Sequence, residues 1–333
     1  MAPLISVLIP ARNCEAVIGP CLEAIKAQVL APEEVIVIND ASTDRTAEIV
    51  TERYSWARLI SLPQNAGFTA AALEGYRISR GDWIAMLNAD TEVHPAWLQE
   101  MMAAAQWDGK AGMIASRVLL ADPAGTIDSL GIIVKRSGLA FLRGHGQADR
   151  PDEALPEVEE VFGPAGSAFL LKREMLDQTG FFEPDFFIYY DEVDLAFRCR
   201  LMGWKCLLAN RSRVIHLHSY TYGRESAAKR YHLQRNRLRT LVRNWPTAWL
   251  ATYFSMIVAY DLASIVLAWS EGNFRAPFKA RWDFIKALPR DLEARRKNFL
   301  SMPTDAKALK QWLKREHLPV IMRSTQDREK PNE

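Results

Sequence analysis

Cysteine is scarce. Cys14, Cys21, Cys199 and Cys206 are the only four in 333 residues, in two seven-residue spacings without a C-x-x-C pair. That pattern disfavours a zinc ribbon or a redox couple and leaves buried, reduced thiols of a cytosolic protein as the expectation. No glycine-rich loop follows the first apolar run: LIPARNCEAVIG contains neither the G-x-G-x-x-G of a dinucleotide fold nor the basic phosphate loop of a nucleotidyltransferase. Charge of one sign is lacking too, since 42 basic and 40 acidic residues leave a formal +2, too little for the broad basic surface of a nucleic-acid binder. The opening MAPLISVLIPARN has no basic region ahead of a long apolar stretch and no small-residue cleavage site, so Leu4 to Ile9 reads as a strand rather than a secretory leader. Repeats and low-complexity tracts are missing. What remains, at 49% apolar and 25% charged, can bury a full core in one or two domains.

The first third alternates short apolar runs with helix-period stretches, the pattern of a mostly parallel sheet covered by helices. Strands are predicted at Leu4 to Ile9, Glu34 to Asn39, Arg58 to Leu62 and Trp83 to Leu87, with helices over Glu15 to Gln28, Thr43 to Tyr54 and Ala66 to Ser79. Ser42, followed by Thr43 and Asp44, reads as the cap of the second helix. From Met113 to Val161 the pattern weakens, with five glycines at 125, 131, 138, 144 and 146 and an acidic, proline-bearing stretch from Asp149 to Glu160. Short strands and an adaptable loop are expected there. A second ordered block follows: a strand at Ser167 to Leu171, a short helix from Lys172, the aromatic run FFEPDFFIYY, a helix from Asp191 to Met202, and two strands at Lys205 to Ala209 and Arg213 to Leu217.

Past Arg243 the composition changes. Trp245 to Trp269 is a 25-residue run with Asp261 as its only charge, flanked by Arg235, Arg237, Arg239 and Arg243 before it and Arg275, Lys279 and Arg281 after it. It is long enough to cross a ~30 Å hydrocarbon core. Basic flanks on both sides give no orientation, and the central Asp favours a helix lying in or partly inserted into the headgroup zone, ahead of one buried in a subdomain or dimer interface and of a true span. The division expected is 1–243, split near 112/113 into a nucleotide-binding half and a second half, and a helical, membrane-docking 244–333 with a charged tail that frays after Asp305.

Three acidic sites fall at strand ends, where α/β sheets place ligands. Asp40 in VIVINDASTD can accept a hydrogen bond from a base or ribose, or merely form a turn. Asn88-Ala89-Asp90 in WIAMLNADTEVHP suits a divalent cation on a diphosphate, or a helix cap. Asp191-Glu192-Val193-Asp194, behind an aromatic wall, can hold a general base near neutral pH, or satisfy a helix dipole. His216 and His218 share one face of a strand, a weak signal alone.

Taken together, SVLIPARN, VIVINDASTD, QNAGFTAA, IAMLNADTEVHP, GPAGSAFLLKREMLDQTGFFEPDFFIYYDEVDLAFR, VIHLHSYTYG and YHLQRN occur in the order that resembles the family 2 inverting glycosyltransferases of the GT-A fold. Within them the set is most similar to the bacterial rhamnosyltransferase-like branch of cell-envelope polysaccharide assembly. The resemblance covers roughly residues 4 to 240. It implies an α/β GT-A domain that binds a nucleoside-diphosphate sugar, dTDP-rhamnose or a UDP-sugar foremost, with Mg²⁺ or Mn²⁺, and adds the sugar to a glycan or lipid-linked acceptor. It also implies a peripheral place on the cytoplasmic face of the membrane and leaves a homodimer open.

Carried over by position, the resemblance assigns Pro10, Ala11 and Arg12 to the nucleotide pocket, Asp40 to base or ribose, and Asn65, Gly67 and Phe68 to its enclosure. Asn88-Ala89-Asp90 stands for the family's D-x-D with only the last carboxylate kept, so Asp90 is the implied metal ligand, completed by His216 of a His-x-x-Ser site ending at Ser219, with His218 as substitute. Asp191-Glu192 stands for the Glu-Asp pair in swapped order, with Glu192 as base and Asp191 as its alternative. Gly166 and Ser167 are assigned to the acceptor side, and Arg235-Asn236 to the diphosphate. One base suffices for direct displacement, because a nucleoside diphosphate leaves without protonation. The competing expectation is a glycosyltransferase-like protein that binds nucleotide or glycan at the membrane without turnover.

Overall fold

The first strand, ISVLIPA, is apolar on both faces, as a strand covered by helices on both sides must be. Leu8 enters one core and Ile5, Val7, Ile9 and Ala11 the other. The computed structural model describes residues 4–217, 226–270, 275–300 and 309–315. In chain order its first half runs β1 (Ile5–Ala11), α1 (Ile18–Lys26), β2 (Glu34–Asn39), α2 (Thr46–Arg53), β3 (Arg58–Ser61), α3 (Phe68–Ile78), β4 (Trp83–Leu87), β5 (Thr91–Val93), α4 (Trp97–Ala105) and β6 (Ala111–Leu120). The second half runs β7 (Ile127–Ser129), β8 (Ile132–Lys135), β9 (Ala140–Leu142), β10 (Val158–Val161), β11 (Ala168–Lys172), α5 (Arg173–Thr179), α6 (Asp191–Leu201) and β12 (Lys205–His216). The helices α7 (Ala227–Asn244), α8 (Thr247–Ser270) and α9 (Arg275–Leu300) and the short β13 (Leu313–Lys314) close it.

The main sheet is ordered β10-β12-β6-β11-β4-β1-β2-β3, with β5 paired to β12 and β7 to β6. Its β3-β2-β1-β4 half is parallel, β6 and β12 are parallel, and antiparallel β11 joins the two. A small sheet, β13-β8-β9, stands apart. One core lies between the main sheet and α3, α6 and the Trp245 ring; the other lies beneath α1, α2 and α4.

Three expectations need correction. The two strands at Lys205 to Ala209 and Arg213 to Leu217 are one strand, β12, with a register shift between Ala209 and Arg213. The polar residues between them form a bulge, not a turn, because Asn210 is buried and donates from Nδ2 to Pro156 O at 2.8 Å. Ser42 does not cap α2. Its Oγ accepts from Asn13 N at 3.0 Å, while Asp44 Oδ1 accepts from both Thr46 N at 3.0 Å and Thr46 Oγ1 at 2.6 Å. The stretch from Asp149 to Glu160 is anchored rather than adaptable: the buried Arg117 guanidinium donates to Asp149 at 2.8 Å and to Asp152 at 2.7 Å. Burying a guanidinium is tolerable only with such carboxylate and carbonyl partners.

The cysteines are all free and buried. The carboxy-terminal helices pack onto the rest through buried charge. Arg239 meets Asp291 of α9 at 2.9 Å, and Arg243 meets Asp194 of α6 at 2.9 Å. Burial acts against the Asp194 carboxylate, but Arg243, Arg198 and Asn244 outweigh it and bring it down to about 2. Asp194 is therefore structural, and a boundary at 243/244 falls inside this packed unit. The long helix α8 is different. It has 24 residues, with a mean hydropathy of 1.7 over an 18-residue window, and the length and composition to cross a membrane, and Phe254, Leu262, Val266 and Trp269 project from it into solvent.

Candidate active site

The carboxyl ends of β1, β2 and β4 lie side by side, and a cleft of about 220 Å³ opens above them. Parallel pairing sets Ala11 opposite Asn39, and Asp40 N continues the ladder by donating to Ala11 O at 2.9 Å. Asp40 is buried and turns its carboxylate to the next loop, accepting from Ala66 N at 2.6 Å and Gly67 N at 2.9 Å. A carboxylate has about four lone-pair sites, so acceptor capacity is left over. Gly67 has φ +85°, and a Cβ there would stand 2.5 Å from the Phe187 ring, which only glycine avoids. Pro10, Ala11, Arg12, Asp40, Asn65, Gly67, Phe68, Asn88, Ala89, Asp90 and His216 all line the cleft. Arg12 Nε is buried without a hydrogen-bond partner among the described residues.

The far wall is Phe187, Ile188 and Tyr189, from the aromatic run. Phe187, Tyr189 and Tyr190 have positive φ between 66° and 69°, a costly conformation for aromatic residues that the surroundings must enforce. Asn236 enforces it: fully buried, its Nδ2 donates to the carbonyls of Phe186, Ile188 and Tyr189 at 3.0, 2.9 and 2.8 Å. Arg235 donates to Asp185 O and Phe186 O at 2.7 and 2.8 Å. Neither residue lines the cleft, so the carried-over diphosphate role falls on side chains that instead hold the wall from behind.

The cation that α7 does bring to the cleft is Lys229, in the first turn behind the Ser226 cap. His232, one turn on, stacks on Phe187 with centroids 5.1 Å apart. Burial, with Arg235 beside it, lowers that imidazole to about 4 and keeps it neutral. Lys229, His232 and Asn236 follow the i, i+3, i+7 spacing of one helix face, the signal by which the first two could have been found. Cys14 also lines the cleft, its thiol pushed up to about 11 chiefly by burial, so it is no nucleophile.

At the cleft floor His216 Nε2 stands 3.4 Å from Asp90 Oδ1. Burial opposes a charge on the imidazole, but hydrogen bonds to Asp128 and Asp90 raise it to about 9. Leu217 N donates to Asp90 O at 3.0 Å, tying the end of β12 to the strand-end acid. Among the described residues no group of three or more His, Cys, Asp or Glu could hold a metal ion. The pair offers one carboxylate and one imidazole, a donor set that fits Mg²⁺ or Mn²⁺ when phosphate oxygens supply the rest. His218 and Ser219 lie outside the described residues.

Asn88 N donates to Ser167 O at 2.8 Å, which sets the Gly166-Ser167 corner beside the floor. Ser167 Oγ is buried with no partner among the described residues. Next to this corner stand the α6 carboxyls: a Cβ on Gly166 would lie 3.7 Å from Glu192 Cδ. Asp191 is buried and Glu192 half-buried. Burial raises both, Asp191 further by the Glu192 charge, and Glu192 reaches about 7. A carboxyl poised near neutrality beside a gap left by glycine is placed to take a proton.

The chain is similar to curated proteins and to solved structures. The chain is 25% identical over 244 residues to the O-antigen biosynthesis protein RfbC of Myxococcus xanthus, covering 68% of this chain and 18% of that protein. It is 27% identical over 236 residues to the N-acetylglucosaminyl-diphospho-decaprenol L-rhamnosyltransferase of Mycobacterium tuberculosis, covering 63% of this chain and 76% of that one. The chain spans less than a third of the first curated relatives it matches, 28% and 18% of their lengths. Among solved structures, GalNAc-T7 with UDP, GalNAc and Mn²⁺ superposes with a TM-score of 0.62 at 17% identity, over 90% of this chain and 58% of that one, a likeness of fold. The sheet and its helices are thus those of the GT-A glycosyltransferases. With residues 6–180 matching the profile described as glycosyl transferase family 2, the chain belongs to that family.

Proposed function

We propose that this protein transfers a sugar, with inversion, from a nucleoside-diphosphate sugar to a glycan or lipid-linked acceptor in cell-envelope polysaccharide synthesis. The observation that carries it is the meeting of strand-end Asp90 with His216 on the floor of the cleft, while a separate carboxyl, Glu192, raised to about 7, stands against Gly166. The rhamnosyltransferase name of the mycobacterial relative supports dTDP-rhamnose as donor and a lipid-linked diphosphate sugar as acceptor, and the UDP of the GalNAc-T7 structure keeps a UDP-sugar in view.

Asp40, Asn65 and the Gly67 loop enclose the nucleoside, and Asp90 with His216 would hold Mg²⁺ or Mn²⁺. That ion, when bound, neutralises charge on the diphosphate. Arg12, just after β1, and Lys229, at the positive first turn of α7, take up charge as the nucleoside diphosphate leaves. Glu192 accepts the proton of the acceptor hydroxyl as its oxygen attacks the anomeric carbon, and Gly166 and Ser167 border the space where that hydroxyl arrives. Nucleoside-diphosphate release from dTDP-rhamnose and UDP-sugars, with and without an envelope-lipid extract, tests this. Acceptor-dependent release supports transfer, whereas nucleotide binding without release from any donor would identify a binding protein.

The same reading places the protein peripherally on the cytoplasmic face of the membrane. Phe254, Leu262 and Trp269 of α8 and Phe278, Trp282 and Ile285 of α9 are exposed, and Arg275, Lys279 and Lys286 are exposed on α9. Apolar residues bordered by tryptophans and cations suit a headgroup zone. Asp261 is held by the neighbouring helices, bonded to Arg237 of α7 at 2.8 Å and Arg281 of α9 at 2.8 Å. A spanning helix would have to leave those partners, so docking in the plane is the favoured arrangement.

A further inference from the structure

The imidazole on the cleft floor has partners that no strand-end motif calls for. His216 turns Nε2 to Asp90 and Nδ1 to Asp128, with Nδ1 2.8 Å from Asp128 Oδ2. Asp128 sits on β7 with its side chain only 3% exposed. Its other oxygen, Oδ1, lies 3.1 Å from Nδ1 of His145, and that nitrogen is also 3.0 Å from Asp128 O. Asp90, His216, Asp128 and His145 thus form an unbroken line from the cleft to a surface histidine whose side chain is 40% exposed. The sheet fixes the line in register, since β7 is antiparallel to β6 and β6 parallel to β12.

A buried carboxylate is costly to keep and needs a reason. Holding β7 in place is one, but the backbone ladder to β6 already does that, and it does not explain why both carboxylate oxygens are spent on imidazoles. An imidazole that serves a metal through one nitrogen needs its other N–H bonded, because that bond selects the tautomer, fixes the ring and raises the basicity of the ligating nitrogen. We propose that Asp128 is the positioning residue of His216, accepting its Nδ1–H so that Nε2 is presented with Asp90 to the divalent cation of a metal–nucleotide complex, and that His145 steadies Asp128 from the outer side. This rests on the metal-assisted reading above and assigns to it two residues, Asp128 and His145, remote in sequence from the other site residues.

The test is Mn²⁺ affinity of the full chain with UDP and with dTDP present, read as free Mn²⁺ by electron paramagnetic resonance. Wild type, Asp128→Asn, His216→Ala, the double variant and His145→Gln are compared. Asp128→Asn is expected to weaken Mn²⁺ about 10- to 100-fold, the double variant to be no weaker than His216→Ala alone, and His145→Gln to fall between wild type and Asp128→Asn. Unchanged affinity in Asp128→Asn, or a loss that persists undiminished on the His216→Ala background, overturns the proposal.

A second readout needs no metal: the downfield proton resonance of His216 Nδ1–H in the metal-free protein, expected in wild type and lost in Asp128→Asn. If Asp128→Asn does not fold, the surface variant His145→Gln carries the comparison, with a shifted resonance and weakened Mn²⁺ expected and identity with wild type contradicting. Failure of wild type to bind Mn²⁺ with either nucleotide would sink the metal reading, while the resonance still decides whether Asp128 holds the ring.

Discussion

Glu192 and Asp191 are neighbours in sequence with different surroundings. Asp191 is buried under the first turn of α6, while Glu192 is half-buried beside Gly166. Glu192→Gln should lower turnover by roughly 10²- to 10⁴-fold, the ordinary worth of a general base, with nucleoside-diphosphate affinity unchanged. Undiminished turnover would move the base elsewhere. Because the base works ionised and burial lifts Glu192 to about 7, kcat/KM should rise with pH up to about 7 and then level. The same shift acts on stability. In the unfolded chain these carboxyls ionise near ordinary values, so the folded state, which retains their protons longer, loses stability as pH rises from there through 7. Glu192→Gln should therefore raise Tm at pH 8 relative to wild type, and a lowered Tm would contradict it. At this scale Asp40 and Asp90 were legible because strand-end acids follow from periodicity. Arg235 and Asn236 were not: a motif names residues but not the direction in which a helix points them.

The wall from Phe187 to Tyr189 depends on its fit between α3 and α7. Asn236→Ala removes three hydrogen bonds to the carbonyls of Phe186, Ile188 and Tyr189, within the run where Phe187, Tyr189 and Tyr190 lie at positive φ. Stability should fall by about 2–4 kcal/mol, since buried acceptors lose their donors, and KM for the donor should rise. An unchanged denaturation midpoint would show that the wall supports itself. Most elements were readable from apolar spacing. The bulge in β12 and the anchoring of residues 149–160 were not, because both depend on side chains distant in sequence: Asn210 reaching Pro156, and Arg117 reaching Asp149 and Asp152.

For the whole molecule, the composition change past Arg243 was visible, but not its continuity with the catalytic unit, which rests on the buried Asp291 of α9 that both Arg239 and Arg243 meet. Truncation at 243 would remove Asp291 from Arg239 and Arg243 and cannot separate docking from folding. Changing Phe254, Leu262 and Trp269 together to Glu is the cleaner test. The variant should keep its Tm and stop co-floating with anionic phospholipid vesicles; unaltered flotation would reject membrane docking, and a change from dimer to monomer would give the face to a second copy of the chain. The central claim remains the nucleotide site. Calorimetric titration of UDP, dTDP and GDP, each with Mn²⁺, with Mg²⁺ and with chelator, on wild type and Asp90→Ala, tests it most directly. The account predicts binding of one nucleotide that needs the metal and is lost in Asp90→Ala; no binding by wild type, or binding indifferent to both the metal and Asp90, would contradict it.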